Sequence, residues 1–296
     1  MKFIIIIPAK NEEDNIQRTL ESIITQKKKP ELCLVVDDAS TDSTAQIVNK
    51  IGRQYPFIEC HTKNGEDQSY KLGGKIVKSF LWGKELIDQR NIVYDFIIKM
   101  DADIQFDPDF LENIEKRLKN NKPGIASGTP YQIIGEKKRY ITSPIWHTNG
   151  DFKIYNKKCL NEMNGLTPNL GWDCADNIAA MENGWKTIAY RDLFYKQQRP
   201  IGKYSILEGR IRQGRGAYVL RYSLGYIWLK LMHDMLKKPF IIGAIYQLYG
   251  YLSCYYHKEK RTVTKSQARI LRKLLWQSFF ERIRNRKFSI FQSFSN

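Results

Sequence analysis

No two of the five cysteines (Cys33, Cys60, Cys159, Cys174, Cys254) stand in a CxxC pair, and all lie far apart along the 296-residue chain. That spacing excludes a zinc ribbon or a disulfide framework and points to a reducing, cytoplasmic setting. Long apolar runs are missing too. The N-terminal run Phe3 to Ile7 is five residues, is followed by Pro8, Lys10 and a cluster of acids, and has no small-residue cleavage site. It reads as a buried first strand, not a signal peptide. Acids are scarce at one end: residues 199–296 hold 20 basic and 4 acidic side chains, against 28 and 27 in residues 1–198. A near-neutral body therefore carries a strongly basic tail region, which is attracted to anionic surfaces. No recognised nucleic-acid module accompanies that charge, so nucleic acid is not the expected partner.

What is present is an alternation of strands and helices. Apolar runs at 3–7, 32–36, 57–61 and 94–100 alternate with helical patterns at about 11–29, 42–52, 70–90 and 108–123. This is the pattern of a Rossmann-like, doubly wound, mostly parallel α/β sheet. Shorter β-like runs at 124–128, 150–155 and 187–190 surround one helix at roughly 173–184. The expected division is a catalytic domain over 1–200 and a basic, aromatic-rich helical extension over 201–296. Glycines 202, 209, 214 and 216 among arginines suggest a mobile cationic loop at the start of that extension.

In such sheets, ligands bind beyond the carboxyl ends of the strands. Three acid-bearing segments fall there. Pro8-Ala9-Lys10-Asn11-Glu12 follows strand one; the backbone at Pro8 and Ala9, with Glu12, can line a nucleotide pocket, or form a plain strand-to-helix loop. Asp37-Asp38 follows strand two; Asp38 can meet a base or ribose, and Asp42 can cap the next helix. Asp101-Ala102-Asp103 follows strand four. Two carboxylates one residue apart suit magnesium or manganese, which take oxygen ligands and bridge to substrate phosphates. Further on, Asp173 opens a helix, as a cap or as a general base.

The runs Ile-Ile-Pro-Ala-Lys-Asn-Glu-Glu (6–13), Val-Val-Asp-Asp-Ala-Ser-Thr-Asp-Ser-Thr (35–44) and Met-Asp-Ala-Asp (100–103) resemble, in order and spacing, glycosyltransferase family 2 of the GT-A fold. The resemblance covers residues 1 to about 200. It implies inverting transfer from a nucleotide-diphosphate sugar, with Mn2+ or Mg2+, to a glycan or lipid-linked acceptor in cell-surface glycan or glycolipid synthesis. It implies Asp38 as the nucleotide-contacting acid, Asp103 as the metal ligand and Asp101 as the acid between ribose and metal. Gly184-Trp185-Lys186 matches the turn that follows the family's Glu-Asp pair. Asp173 is then the catalytic base and Trp172 replaces the glutamate, with Asp176 as second choice. Where many relatives carry a metal-completing histidine, this chain has Gln197-Gln198, leaving a glutamine oxygen or water for that place. Gln213-Gly214-Arg215 lacks the tryptophan of the processive relatives.

Arg199, Lys203 and Arg210 are expected to close over phosphates or acceptor. A metal-dependent nucleotidyltransferase is the alternative, although Pro8 to Glu12 contains no glycine. Phe240 to Tyr256 lacks charge for 17 residues and is short for a span. It reads as core helix, as a span, or as an interfacial segment on an anionic membrane, here the inner face of the plasma membrane.

Overall fold

The computed structural model describes residues 1–63, 74–199, 205–236 and 239–292. The chain folds as two compact units, Met1–Ile201 and Gly202–Asn296.

The first unit runs β1 (Phe3–Ala9), α1 (Ile16–Ile24), β2 (Leu32–Asp37), α2 (Thr44–Gly52), β3 (Ile58–Thr62), α3 (Gly74–Gln89), β4 (Phe96–Met100), β5 (Ile104–Gln105), α4 (Phe110–Asn121), β6 (Ile125–Ile134), β7 (Lys137–Tyr140), β8 (Phe152–Asn156), α5 (Lys157–Glu162), α6 (Trp172–Glu182) and β9 (Thr187–Gln197). The glycine-containing loop and first turn expected at 64–73 lie outside the described residues.

The sheet order is β3-β2-β1-β4-β8-β6-β9-β5, with β7 paired to β6. The first four strands are parallel. β8 enters antiparallel to β4, and β6 is antiparallel to β8 but parallel to β9. β1 explains why its apolar run is unbroken. Phe3, Ile5 and Ile7 join the core under α1 and α4, while Ile4 and Ile6 join the core under α3. A strand buried on both faces needs apolar residues at every position. Register brings Ala9 opposite Asp37, and Met100 opposite Phe152. The ends of β1, β2 and β4 and the start of β8 therefore share one edge.

The second unit is helical: α7 (Ile206–Val219), α8 (Leu224–Met235), α9 (Ile241–Tyr256) and α10 (Lys265–Gln292). The mobile loop expected around Gly209, Gly214 and Gly216 is instead the helix α7. Ser205 accepts from the Glu208 backbone N–H and Glu208 accepts from that of Ser205, a capping box that starts it. Gly214 and Gly250 sit where α7 and α9 cross. A Cβ on Gly214 would overlap the Gln247 carbonyl, and one on Gly250 the Ile211 carbonyl. Gly214→Val should therefore force the two helices apart and cost about 3 kcal/mol, the scale of overpacking a closed contact. Limited proteolysis, with cleavage appearing first within 205–292, checks it.

Candidate active site

The loops after β1 and β2 are cross-linked. Asn11 Oδ1 accepts from the Thr41 N–H at 2.8 Å, Glu12 N–H donates to Thr44 Oγ1 at 2.8 Å, and Ser43 N–H donates to Glu13 at 2.9 Å. Asn11 and Ala39 both hold positive φ, 53° and 55°. Left-handed backbone at a non-glycine residue costs energy and persists where surrounding contacts impose it. The Asp38 N–H donates to the Ala9 carbonyl at 2.8 Å, and its carboxylate faces Lys63 at 3.8 Å. Asp42 accepts from the Thr44 N–H at 3.0 Å, but the N-cap of α2 is the next residue, Ser43.

At the end of β4 the acids crowd. Asp101 N–H donates to the Asp151 carbonyl, and the buried Lys99 ammonium donates to the Asp101 carboxylate and, at 2.6 Å, to the Gly150 carbonyl. Burial raises the Asp101 carboxyl above the ordinary range; Lys99 offsets this and Asp103 adds to it. Asp151 is pushed up to about 6 by burial and by Asp101. Asp103 is 3% exposed. Its Oδ2 accepts from Arg199 Nε at 3.2 Å, and its Oδ1 is buried with no hydrogen-bond partner among the described residues. The same guanidinium donates to Glu12 at 2.7 Å. Burial raises the Glu12 carboxyl, with Arg199 pulling it back.

This donor set fits a hard divalent cation. An acid whose pKa is raised by a neighbouring acid favours a cation beside it, and an orphaned carboxylate oxygen is a free ligand atom. Among the described residues no cluster of three or more His, Cys, Asp or Glu side chains is arranged to hold a metal alone. Gln198 Oε1 accepts from Arg18 at 3.2 Å and Gln197 Oε1 from Gln132 at 3.2 Å, which leaves each oxygen one lone pair. The side chain that reaches Asp103 from this segment is Arg199.

Asp173 lies in the first turn of α6, but the cap is Gly171, in left-handed conformation at φ 78°. The Asp173 carboxylate, partly exposed, accepts no hydrogen bond from the described residues, whereas its main-chain carbonyl is held by Lys153 at 2.6 Å and Asn177 at 2.7 Å. Asp176 is the opposite case. Its carboxylate accepts from Lys153 at 2.5 and 2.7 Å, from Tyr155 at 2.6 Å and from the Asn177 N–H at 2.6 Å, and all are buried. A carboxylate so fully engaged has no lone pair to spare for a substrate proton, so the second-choice base is structural. His147, with burial lowering its pKa, has a buried Nδ1 without a hydrogen-bond partner among the described residues.

Two lysines were missed by sequence reasoning. Lys99 and Lys153 face each other in register across β4 and β8, and both ammonium groups lie over the Trp172 ring, at 5.5 and 5.4 Å. Lys99 grips Asp101 while Lys153 grips Asp176 and the Asp173 carbonyl. A Cβ on Gly150, whose carbonyl Lys99 holds, would lie 3.0 Å from the Asp173 Cβ. The Asp101–Asp103 acids and Asp173 thus form one connected cluster. The signal was available: a lone lysine inside Phe-Ile-Ile-Lys-Met or Phe-Lys-Ile-Tyr-Asn is tolerable in a buried strand only with an acid partner. Of the three residues expected over phosphates, Arg199 lies between Glu12 and Asp103 and Lys203 lies outside the described residues. Arg210 is not in a loop; it is buried on α7 and pairs with Asp234 at 3.4 Å.

A parallel half-sheet with acids at its carboxyl edge, joined to a mixed half that carries a further acid on α6, defines an α/β protein of GT-A type. Residues 4–73 and 89–175 match the family model described as Glycosyl transferase family 2, more than half of the chain, and the chain belongs to that family. It is 28% identical over 169 residues to 4,4'-diaponeurosporenoate glycosyltransferase of Staphylococcus haemolyticus, covering 56% of this chain and 40% of that protein. It is 22% identical over 253 residues to glycosyltransferase GlyA of Streptococcus pneumoniae, covering 79% of this chain and 33% of that protein. The chain therefore spans well under half the length of these relatives. Among solved structures it is similar to mannosyltransferase PcManGT from Pyrobaculum calidifontis, in complex with GDP-Man and Mn2+. That match has a TM-score of 0.56, 17% identity, and covers 96% of this chain and 82% of that one. It is also similar to S. aureus TarS 1-349 in complex with UDP-GlcNAc, with a TM-score of 0.54, 18% identity, and coverage of 88% and 74%. At these identities the structures establish the fold.

Proposed function

We propose that the chain transfers a sugar from a nucleoside-diphosphate donor to a hydroxyl of a glycan or lipid-linked acceptor, with inversion at the anomeric carbon. The observation that carries this reading is the linked cluster in which, among the described residues, Asp103 Oδ1 has no hydrogen-bond partner and the Asp173 carboxylate accepts no hydrogen bond. The complexes of the two structural relatives, with GDP-Man and with UDP-GlcNAc, support the donor class.

Asp38 and the β1 loop at Pro8, Ala9 and Glu12 take the nucleoside. Asp101 and Asp103 would hold a Mn2+ or Mg2+ ion, which would supply positive charge to the diphosphate leaving group. Arg199, already against Asp103 and Glu12, adds fixed positive charge beside the same oxygens. Asp173 accepts the proton of the acceptor hydroxyl as its oxygen bonds to the anomeric carbon. The bond from that carbon to the diphosphate oxygen breaks on the opposite face, and nucleoside diphosphate leaves. Lys153 and Asn177 hold the Asp173 backbone, fixing where its carboxylate points.

Incubation with UDP- and GDP-sugars plus manganese should release free nucleoside diphosphate. Asp103→Asn should reduce that release about a hundredfold and weaken manganese binding measured by titration. Release of pyrophosphate in place of nucleoside diphosphate would mean nucleotidyl transfer and would overturn the reading.

A further inference from the structure

We infer that the helical unit docks in the plane of an anionic lipid bilayer through the outward faces of α8 and α9. The helix α9 is inverted relative to an ordinary amphipathic helix. Its buried face carries Gly243, Ala244, Gln247, Gly250 and Cys254. Its outward face carries Ile241, Ile245, Tyr249, Leu252 and Tyr256, all exposed, with Ile245 at 58% and Tyr256 at 82%. Small residues inside and large apolar ones outside is the arrangement of a helix whose outer surroundings are not water. Its neighbour α8 repeats the pattern: Ile227 and Leu231 pack inward with Ala244, while Leu224, Trp228, Met232 and Met235 form an outward stripe at helical spacing. Exposed apolar stripes of this kind mark an interaction site.

Two observations select the occupant. The first is length. The 16 residues of α9 extend about 24 Å, short of the hydrocarbon core of about 30 Å. Among the described residues no helix is long and apolar enough to cross a membrane. The face therefore suits burial parallel to the surface, with tyrosine and tryptophan rings at head-group level. The second is charge. Residues 199–296 hold 20 basic and 4 acidic side chains. Asp234 is spent on Arg210 and Lys230, and Glu259 on Arg215. Lys258 and Lys260 follow α9, and Lys265, Arg269 and Lys273 lie exposed on α10. Pairing this face with a second copy would bring two strongly basic units together, whereas anionic lipid supplies the missing charge. The inference stands apart from the sugar-transfer reading, because none of these residues belongs to the acid cluster.

The test is co-sedimentation of the full chain with vesicles of phosphatidylcholine alone and of phosphatidylcholine with phosphatidylglycerol. Binding is expected to the anionic vesicles at low salt and to weaken at high salt. Ile245→Glu with Tyr249→Glu should lower vesicle affinity by about tenfold or more with the melting temperature unchanged, since both side chains point outward. Met232→Glu on α8 gives the same reading should the α9 variant fold poorly. Arg269→Glu with Lys273→Glu should remove the preference for anionic lipid. Wild-type protein that stays in the supernatant, or outward-face variants that sediment like wild type, would overturn the inference. So would a concentration-dependent dimer that the α9 variant dissolves while vesicles remain unbound.

Discussion

Asp173→Asn is expected to bind donor as wild type does and to turn over about 10²–10⁴-fold more slowly, the usual contribution of a positioned general base. The substitution is nearly isosteric, and the carboxylate accepts no hydrogen bond from the described residues, so little structure depends on its charge. What holds this residue is its main-chain carbonyl, gripped by Lys153 at 2.6 Å and Asn177 at 2.7 Å, and asparagine keeps that carbonyl. The expected signature is a fall in kcat with the donor dissociation constant and melting temperature unchanged, the pattern of an interaction made only in the transition state. Asp176→Asn provides the contrast. It lies three residues on and is buried against Lys153 and Tyr155, so its loss should appear first as instability. Wild-type turnover in Asp173→Asn would require a different base.

The two halves of the first unit differ in how well residue pattern announces them. Phe3 to Ile7, Leu32 to Val36 and Phe96 to Met100 are apolar at nearly every position because helices cover both faces of the parallel strands. The acids that follow mark the strand ends, so the acid-bearing edge was legible. β5 and β7 were not: the first has only two residues, and the second, Lys-Lys-Arg-Tyr, is fully exposed and gains its strand form from pairing with β6. β9 continues seven residues beyond Tyr190, since its outward polar residues hide a strand whose partner is distant in sequence. Helix α7 was misread because glycines among arginines resemble a loop, while Ser205-Ile206-Leu207-Glu208 already spelled a capping box. Gly214 is there for a close helix crossing, which no local pattern reveals. The ion pairs of Arg199 were beyond sequence reasoning for a related reason. Its two acids, Glu12 and Asp103, are 187 and 96 residues away. Only the fold brings them together.

Lys153→Met should be the most destabilising single change in the acid cluster. Lys153 is 0% exposed and donates to both oxygens of Asp176, so its removal strands a buried carboxylate. Breaking one side of a buried pair costs about 3–5 kcal/mol. For a unit of this size that corresponds to a fall in melting temperature of about 6–20 °C. The pH dependence separates this cause from lost packing. Burial already raises the Asp176 carboxyl above its ordinary value, and Lys153 opposes the rise. Without the lysine the folded-state pKa climbs further above the unfolded one, so the folded state binds the proton more tightly. Stability of the variant should then be greatest below the ordinary carboxylate range and decline as pH rises through the folded-state pKa. A packing defect would be independent of pH over the same interval. Adding Asp176→Leu to Lys153→Met should recover most of the loss, because no charge is then left unpaired, although Tyr155 loses its acceptor. If Asp173 is the base as proposed, the double variant should also turn over more slowly than its stability suggests, since the Asp173 carbonyl has lost the ammonium group that holds it.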